Sequence, residues 1–123
     1  MDKPKIGQVA WVDLTVPNAG EVSEFYKKVV GWDIVPLSMG AYDDYCMNDT
    51  EDKTVAGVCH ARGVNAHMPA QWIIYVSVED LDKSLDECIK AGGKIVGEKR
   101  KMGDDAMYCL IQDPAGAYMM LCG

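Results

Sequence analysis

Asp13 is the residue of this sequence best placed to do chemistry: an acid in the otherwise apolar run Trp11-Val12-Asp13-Leu14-Thr15-Val16. Side chains alternate in direction along an extended chain. Asp13 therefore shares a face with Trp11 and Thr15, while Val12, Leu14 and Val16 take the other. A carboxyl group in an apolar cavity keeps its proton to higher pH unless it is paired, which is how a general base is tuned. The same group could equally be a structural acceptor, bonded to a neighbouring strand or to Arg62. His60 is the second acid–base candidate, although no carboxylate partner for it is evident along the chain. His67 falls in a connecting segment, where a surface role accounts for it.

A second group could bind rather than react. Tyr75, Tyr108 and Tyr118 share one strand parity, with Ile73, Ser77, Leu110 and Met120 on the same parity and Trp11 nearby. Aromatic rings with polar tips suit a pocket that grips a flat, partly apolar molecule and orients it through hydroxyls. Each ring taken singly could also be ordinary core. Met107 and Met119, and Met120 too, have the adaptable shape of core gap-fillers. A displaced metal site from His60, Asp13 and Cys46 lacks recognisable ligand spacing. Cys46, Cys59, Cys88, Cys109 and Cys122 are odd in number and carry no C-x-x-C spacing, which fits reduced thiols of a cytoplasmic protein. No phosphate-binding loop, dinucleotide fingerprint, H-E-x-x-H or G-x-S-x-G motif is present.

Charge narrows the partners. The formal net charge of −7 argues against nucleic acid, which demands a basic face. The one basic cluster, Lys99-Arg100-Lys101 after Glu98, reads as a solvated strand end. Apolar stretches are only a few residues long, so no membrane span is expected. Met1-Asp2-Lys3-Pro4 leads into no apolar segment, and no secretory signal is expected.

The elements that must position these groups follow from periodicity. Residues 7–16 read as a strand, stopped by Pro17-Asn18. Asn18 followed by Glu21 resembles a capping box, and Val22, Phe25, Tyr26, Val29 and Val30 recur at helical spacing before Gly31. Strands are expected over 32–37, 42–48 and 54–60. The second half repeats the plan: a strand over 71–78, then a helix capped by Asp80 and carrying Leu81, Leu85, Cys88 and Ile89. It ends at Gly92-Gly93, and strands follow over 94–99, 106–112 and 117–122, with Asp113-Pro114-Ala115-Gly116 as a turn. A constant offset of 62 relates Val16 to Val78, Asn18 to Asp80, Gly31 to Gly93 and Ile34 to Val96. The expected fold is α+β, a single domain over 1–123. Two βαβββ modules, about 5–62 and about 70–123, would form a curved mixed sheet around a cavity, with helices on the outer face.

In this order of elements the chain resembles the vicinal oxygen chelate superfamily of glyoxalase I, bleomycin-resistance proteins and extradiol dioxygenases. The resemblance rests on Trp11 through Asn18, Phe25-Tyr26, Gly31-Trp32 and Asp113 through Gly116. It implies a divalent metal held by His, Gln or Glu on strands of both modules, acting as a Lewis acid on a chelating substrate. The matching positions are Trp11, Ile73, Met120 and, by the same offset, Val58. Indole and aliphatic groups offer no lone pair and a thioether is a soft, weak ligand, so no metal and no other cofactor is expected. Metal-dependent lyase activity of the glyoxalase I type is therefore not expected either.

The function this suggests is metal-independent binding of a small, partly aromatic or apolar molecule. Its contacts would be Trp11, Asp13, Thr15, His60, Ile73, Tyr75, Ser77, Tyr108, Leu110, Tyr118 and Met120. The alternative is a lyase- or isomerase-type enzyme, metal-free with Asp13 or His60 as acid/base or with displaced metal ligands. A third is a regulatory module whose cavity has filled in. The resemblance also raises the expectation of a homodimer.

Overall fold

The computed structural model describes residues 4–123. Eight strands and two helices run in the order β1 (Val9–Val16), α1 (Ala19–Val30), β2 (Asp33–Ser38), β3 (Asp43–Asn48), β4 (Thr54–His60), β5 (Trp72–Ser77), α2 (Leu81–Lys90), β6 (Lys94–Met102), β7 (Ala106–Gln112) and β8 (Tyr118–Cys122). This is the α+β order expected, strand–helix–three strands given twice. One 3-10 turn, Gly63–Asn65, sits in the connection between the halves.

The chain divides into two compact units, Val12–Trp72 and a second made of Ile73–Gly123 with the residues up to Trp11. This division differs from the two sequence modules at the first strand. Gly7 N–H donates to the Ser77 carbonyl at 2.7 Å and Ser77 N–H to the Gln8 carbonyl at 3.1 Å, so the lead into β1 is tied to the end of β5. Trp72, conversely, belongs with α1. Its indole N–H donates to the Tyr26 hydroxyl at 3.1 Å, and its ring lies 5.2 Å from Tyr26 and 5.9 Å from Trp32.

In the Val12–Trp72 unit the strands are ordered β2-β3-β4-β1, with β1 and β4 parallel and the other pairs antiparallel. Leu14, Val16, Met47, Ala56 and Val58 form the core with Ala19 of α1, and Val22 and Tyr26 close over it. Ser23 is buried as well, while Phe25, Val29 and Val30 stay exposed, so the apolar stripe of α1 is wider than the face the sheet buries. The Asn18 amide donates to Glu21 Oε2 at 2.8 Å and makes no side-chain bond to the helix backbone, so the expected capping box is not formed. Gly31 ends α1 in the left-handed conformation, φ 88°.

In the other unit the order is β5-β8-β7-β6, with β5 and β8 parallel. Asp80 Oδ1 accepts the Lys83 N–H at 3.1 Å and caps α2 as expected. Leu81 and Leu85 pack on Cys109 and Leu121, joined by Val78, Met107, Ile111 and Met119. Ile89, expected on this buried face, is exposed. Gly92, φ 93°, supplies the left-handed residue after α2. Gly93 serves close packing instead: a Cβ there would meet Cys88 Sγ at 2.6 Å and the Gln112 carbonyl at 2.9 Å. The Asp113 carboxylate accepts the Ala115 and Ala117 N–H groups at 2.8 and 3.0 Å, fixing the β7–β8 turn. Among the described residues no helix is long and apolar enough to cross a membrane.

Candidate functional site

Because α2 covers one face of the β5-β8-β7-β6 sheet, strand parity sends a second set of side chains to the opposite face. Register then fixes their neighbours. Tyr75 lies beside Met120, which pairs across with Leu110; Ser77 lies beside Cys122, which pairs with Tyr108; and Tyr118 pairs with Gln112. Ile73 continues the β5 row. Tyr75 and Tyr108 approach with ring centroids 6.4 Å apart. Ile73 and Met120 are 2% and 3% exposed, Leu110 and Ser77 are buried, and the three tyrosines are half-buried. Seven of the residues singled out in the sequence therefore share one sheet face: Ile73, Tyr75, Ser77, Tyr108, Leu110, Tyr118 and Met120.

An irregularity in β6 adds a residue to this face. Val96 pairs with Leu110 and Arg100 with Tyr108, so Gly97, Glu98 and Lys99 together span the width that Cys109 occupies on β7. Gly97 takes φ 78°, which a residue with a side chain rarely adopts. The two extra residues put Arg100, rather than Glu98, opposite Tyr108. Lys99 turns the other way and binds Asp82 of α2 at 2.6 Å. The basic run is thus not uniformly a solvated strand end: Lys99 and Lys101 are exposed, but Arg100 is half-buried.

In the Val12–Trp72 unit the face away from α1 carries Asp13 beside Gly57 and Thr15 beside Cys59, with Cys46 across from Gly57. Asp13 is half-buried and has an interaction partner, and Thr15 is buried. Trp11, half-buried, likewise has a partner. The Cys59 thiol is pushed far above its ordinary pKa, first by burial and then by the negative charges of Asp13 and Asp44 and by Cys46. Burial likewise raises Cys122 and Cys109. A protonated Cys59 is a poor nucleophile. Its alkylation by iodoacetamide at pH 8 should be at least about tenfold slower in the folded chain than in urea; equal rates would contradict this environment. The sign for stability follows. The folded state holds the thiol proton more tightly, so this contribution is complete below the ordinary pKa of 9.0 and declines as pH rises past it.

His60 stands differently from the expectation. Val58, two residues earlier, is wholly buried in the core beneath α1, and strand parity puts His60 on that side rather than with Asp13. Its ring lies 5.5 Å from Tyr42 and 5.9 Å from Tyr45. Arg62, offered by the sequence as a partner for Asp13, stacks 4.0 Å above the Tyr42 ring. His60 does have a carboxylate neighbour that the sequence did not reveal. Asp44 Oδ1 accepts the His60 backbone N–H at 2.9 Å and lies 3.4 Å from Nδ1. The alignment of that second approach is too poor for a hydrogen bond, so Nδ1 is buried without one; the distance suffices for an ion pair if the ring is protonated.

The same register corrects the fourth metal-ligand position. Asp13 is 62 residues before Tyr75, but their strand neighbours Gly57 and Met120 are 63 apart. The position equivalent to Met120 is therefore Gly57 and not Val58. Trp11, Gly57, Ile73 and Met120 do not make a donor set for a hard or borderline divalent ion. Among the described residues no group of three or more His, Cys, Asp or Glu side chains could hold a metal.

A recess of about 950 Å³ lies elsewhere, at the start of α2, lined by residues including Ile6, Val76, Leu81, Lys99 and Leu121. Of the ligand contacts expected from the sequence only Ser77 lines it. Its acids, Glu79, Asp80, Asp82 and Glu87, are partly spent on the helix cap and the Lys99 pair. The aromatic face has the chemistry; the recess has the volume. Neighbouring rings and a partly buried cation suit ligand recognition better than an acid-lined recess does.

With this geometry established, the comparisons with known proteins place the chain. The sequence profile of the Glyoxalase/Bleomycin resistance protein/Dioxygenase superfamily matches residues 5–121. The curated protein "Putative glyoxylase CFP32" of Mycobacterium tuberculosis is 29% identical over 115 residues, which are 90% of this chain and 43% of that protein. This chain thus spans less than half the length of that relative. Among solved structures, glyoxalase I from Zea mays superposes with a TM-score of 0.61 at 16% identity, over 96% of this chain and 43% of the other. Methylmalonyl-CoA epimerase from Mycobacterium tuberculosis gives 0.56 at 14% identity, over 99% and 91%. At these identities the structural matches speak for the fold alone. The match to the family profile across nearly the whole length makes this chain a member of the Glyoxalase/Bleomycin resistance protein/Dioxygenase superfamily.

Proposed function

We propose that this protein binds a small, partly aromatic or apolar molecule without a metal, on the face of the β5-β8-β7-β6 sheet opposite α2. The observation that carries this reading is the row of Tyr75, Met120 and Leu110, flanked by Tyr108 and Tyr118. Stacking and burial would supply affinity, and the phenolic hydroxyls with Ser77 would supply orientation. Trp11, which belongs to the same compact unit, is a further contact under this reading. The protein works in the cytoplasm, where its five free thiols stay reduced. It acts as a homodimer, the commonest symmetric assembly of small domains.

A screen of small aromatic fragments by saturation-transfer NMR tests the binding. Tyr75→Ala and Tyr108→Ala should each weaken the hits by about tenfold or more, the scale of a lost ring contact plus its burial. Hits that keep their affinity in both variants would place binding elsewhere and defeat the reading.

The closeness of Asp44 to His60 favours a second reading, metal-free acid–base catalysis, since a carboxylate 3.4 Å from Nδ1 can pair with the ring when Nε2 takes up a proton. Loss of turnover on a bound ligand in His60→Gln, with binding intact, would support it. Equal turnover in the variant would exclude it.

A further inference from the structure

We propose that Arg100 makes the aromatic face selective for carboxylates, so that the ligand class is an aromatic or apolar body bearing a carboxylate group. This rests on the reading of that face as the binding site and adds its charge preference.

Three observations carry it. Among the described residues every Lys and Arg is exposed except Arg100, which is half-buried. Holding a guanidinium out of full solvent costs free energy, and such a group is kept where it has work to do or a partner to meet. Secondly, its place is built. The Gly97–Lys99 irregularity shifts the strand by two residues, bringing a cation rather than Glu98 opposite Tyr108, while the adjacent Lys99 is directed to Asp82 on the helix side. Thirdly, its surroundings are those of the aromatic row: Tyr108 pairs with it, and the Tyr75 ring is 6.4 Å from that of Tyr108. Arg100 already has an interaction partner in the free chain.

A planar guanidinium meets a carboxylate through two parallel N–H···O bonds, and these strengthen when water is partly excluded. The net charge of −7 means that the protein as a whole repels anions. A preference for an acid over its neutral amide would therefore report a local cation and not a general attraction.

The test is isothermal titration of matched pairs, benzoate with benzamide, phenylacetate with phenylacetamide and indole-3-acetate with its amide, at pH 7.5. In the unaltered protein the acids should bind about tenfold or more tighter than the amides, the scale of one charged hydrogen-bonded pair. Arg100→Gln should remove that preference while leaving amide binding in place, and Arg100→Lys should restore only part of it. Matching melting temperatures will show that the variants fold. Equal binding of acids and amides to the unaltered protein, or an acid preference that survives Arg100→Gln, would overturn the role of Arg100 and leave the aromatic face standing. No binding of any acid or amide would remove both.

Discussion

Val58→Glu is expected to lose more than about 4 kcal/mol of stability, enough to leave most of the protein unfolded at neutral pH. Val58 is wholly buried among Leu14, Val16, Met47 and Ala56 beneath α1. A carboxylate there would have no water and no cationic partner among those core neighbours. It would relieve the strain by keeping its proton, and the sign of its pH dependence follows. A folded-state pKa above the ordinary glutamate value near ~4.3 gives a stability highest in acid and falling as pH rises through that value. Circular dichroism melts of the variant at pH 4 and pH 7 should show the acid sample melting higher. A variant melting within a degree or two of the parent at pH 7 would mean that Val58 is not enclosed in the core but faces the other side of the sheet, as the metal-ligand position given by repeat spacing would.

Met47→Ala should cost about 2–5 kcal/mol, the range for emptying a fully enclosed site of this size. Met47 has no exposed surface and is among the largest fully buried side chains. It pairs with Ile34 on one side and Ala56 on the other, so β2 and β4 both lose contacts when it is shortened. Small neighbours such as Ala19 and Ala56 leave little that could collapse into the space. Urea unfolding should show a lower midpoint at unchanged slope, and the melting temperature should drop by roughly 10 °C. A shift under about 0.5 kcal/mol would contradict the burial assigned to it.

These two residues also mark how far the sequence could be read. Period-two alternation in 7–16 and 71–78 and the helical spacing of the segments after Asn18 and Asp80 were visible, and the elements stand within a few residues of their expected bounds. Strand parity in 71–78, 106–112 and 117–122 grouped Tyr75, Tyr108, Tyr118, Leu110 and Met120 on one face, as the register has them. The offset of 62 failed where loops differ in length. One extra residue before β8 makes Gly57, not Val58, the counterpart of Met120, and a slip of one residue turns a side chain to the opposite face. His60, expected among the ligand contacts, shares the parity of Val58 on the helix side instead. Its neighbour Asp44, sixteen positions away, is brought close only by the pairing of β3 with β4. Arg100 was hidden inside a charged run, and the one local hint was Gly97, a residue that often marks an irregularity in a strand.

The most direct measurement is ligand binding by protein stripped of metal. Material purified without added metal would be analysed for Zn, Ni, Mn, Fe and Mg, dialysed against EDTA, and titrated with the fragment hits before and after each ion is restored. Metal-free binding predicts sub-stoichiometric metal and dissociation constants unchanged by EDTA or by any ion. Near-stoichiometric metal in the untreated protein, or binding that appears only with one ion and saturates with it, would contradict it.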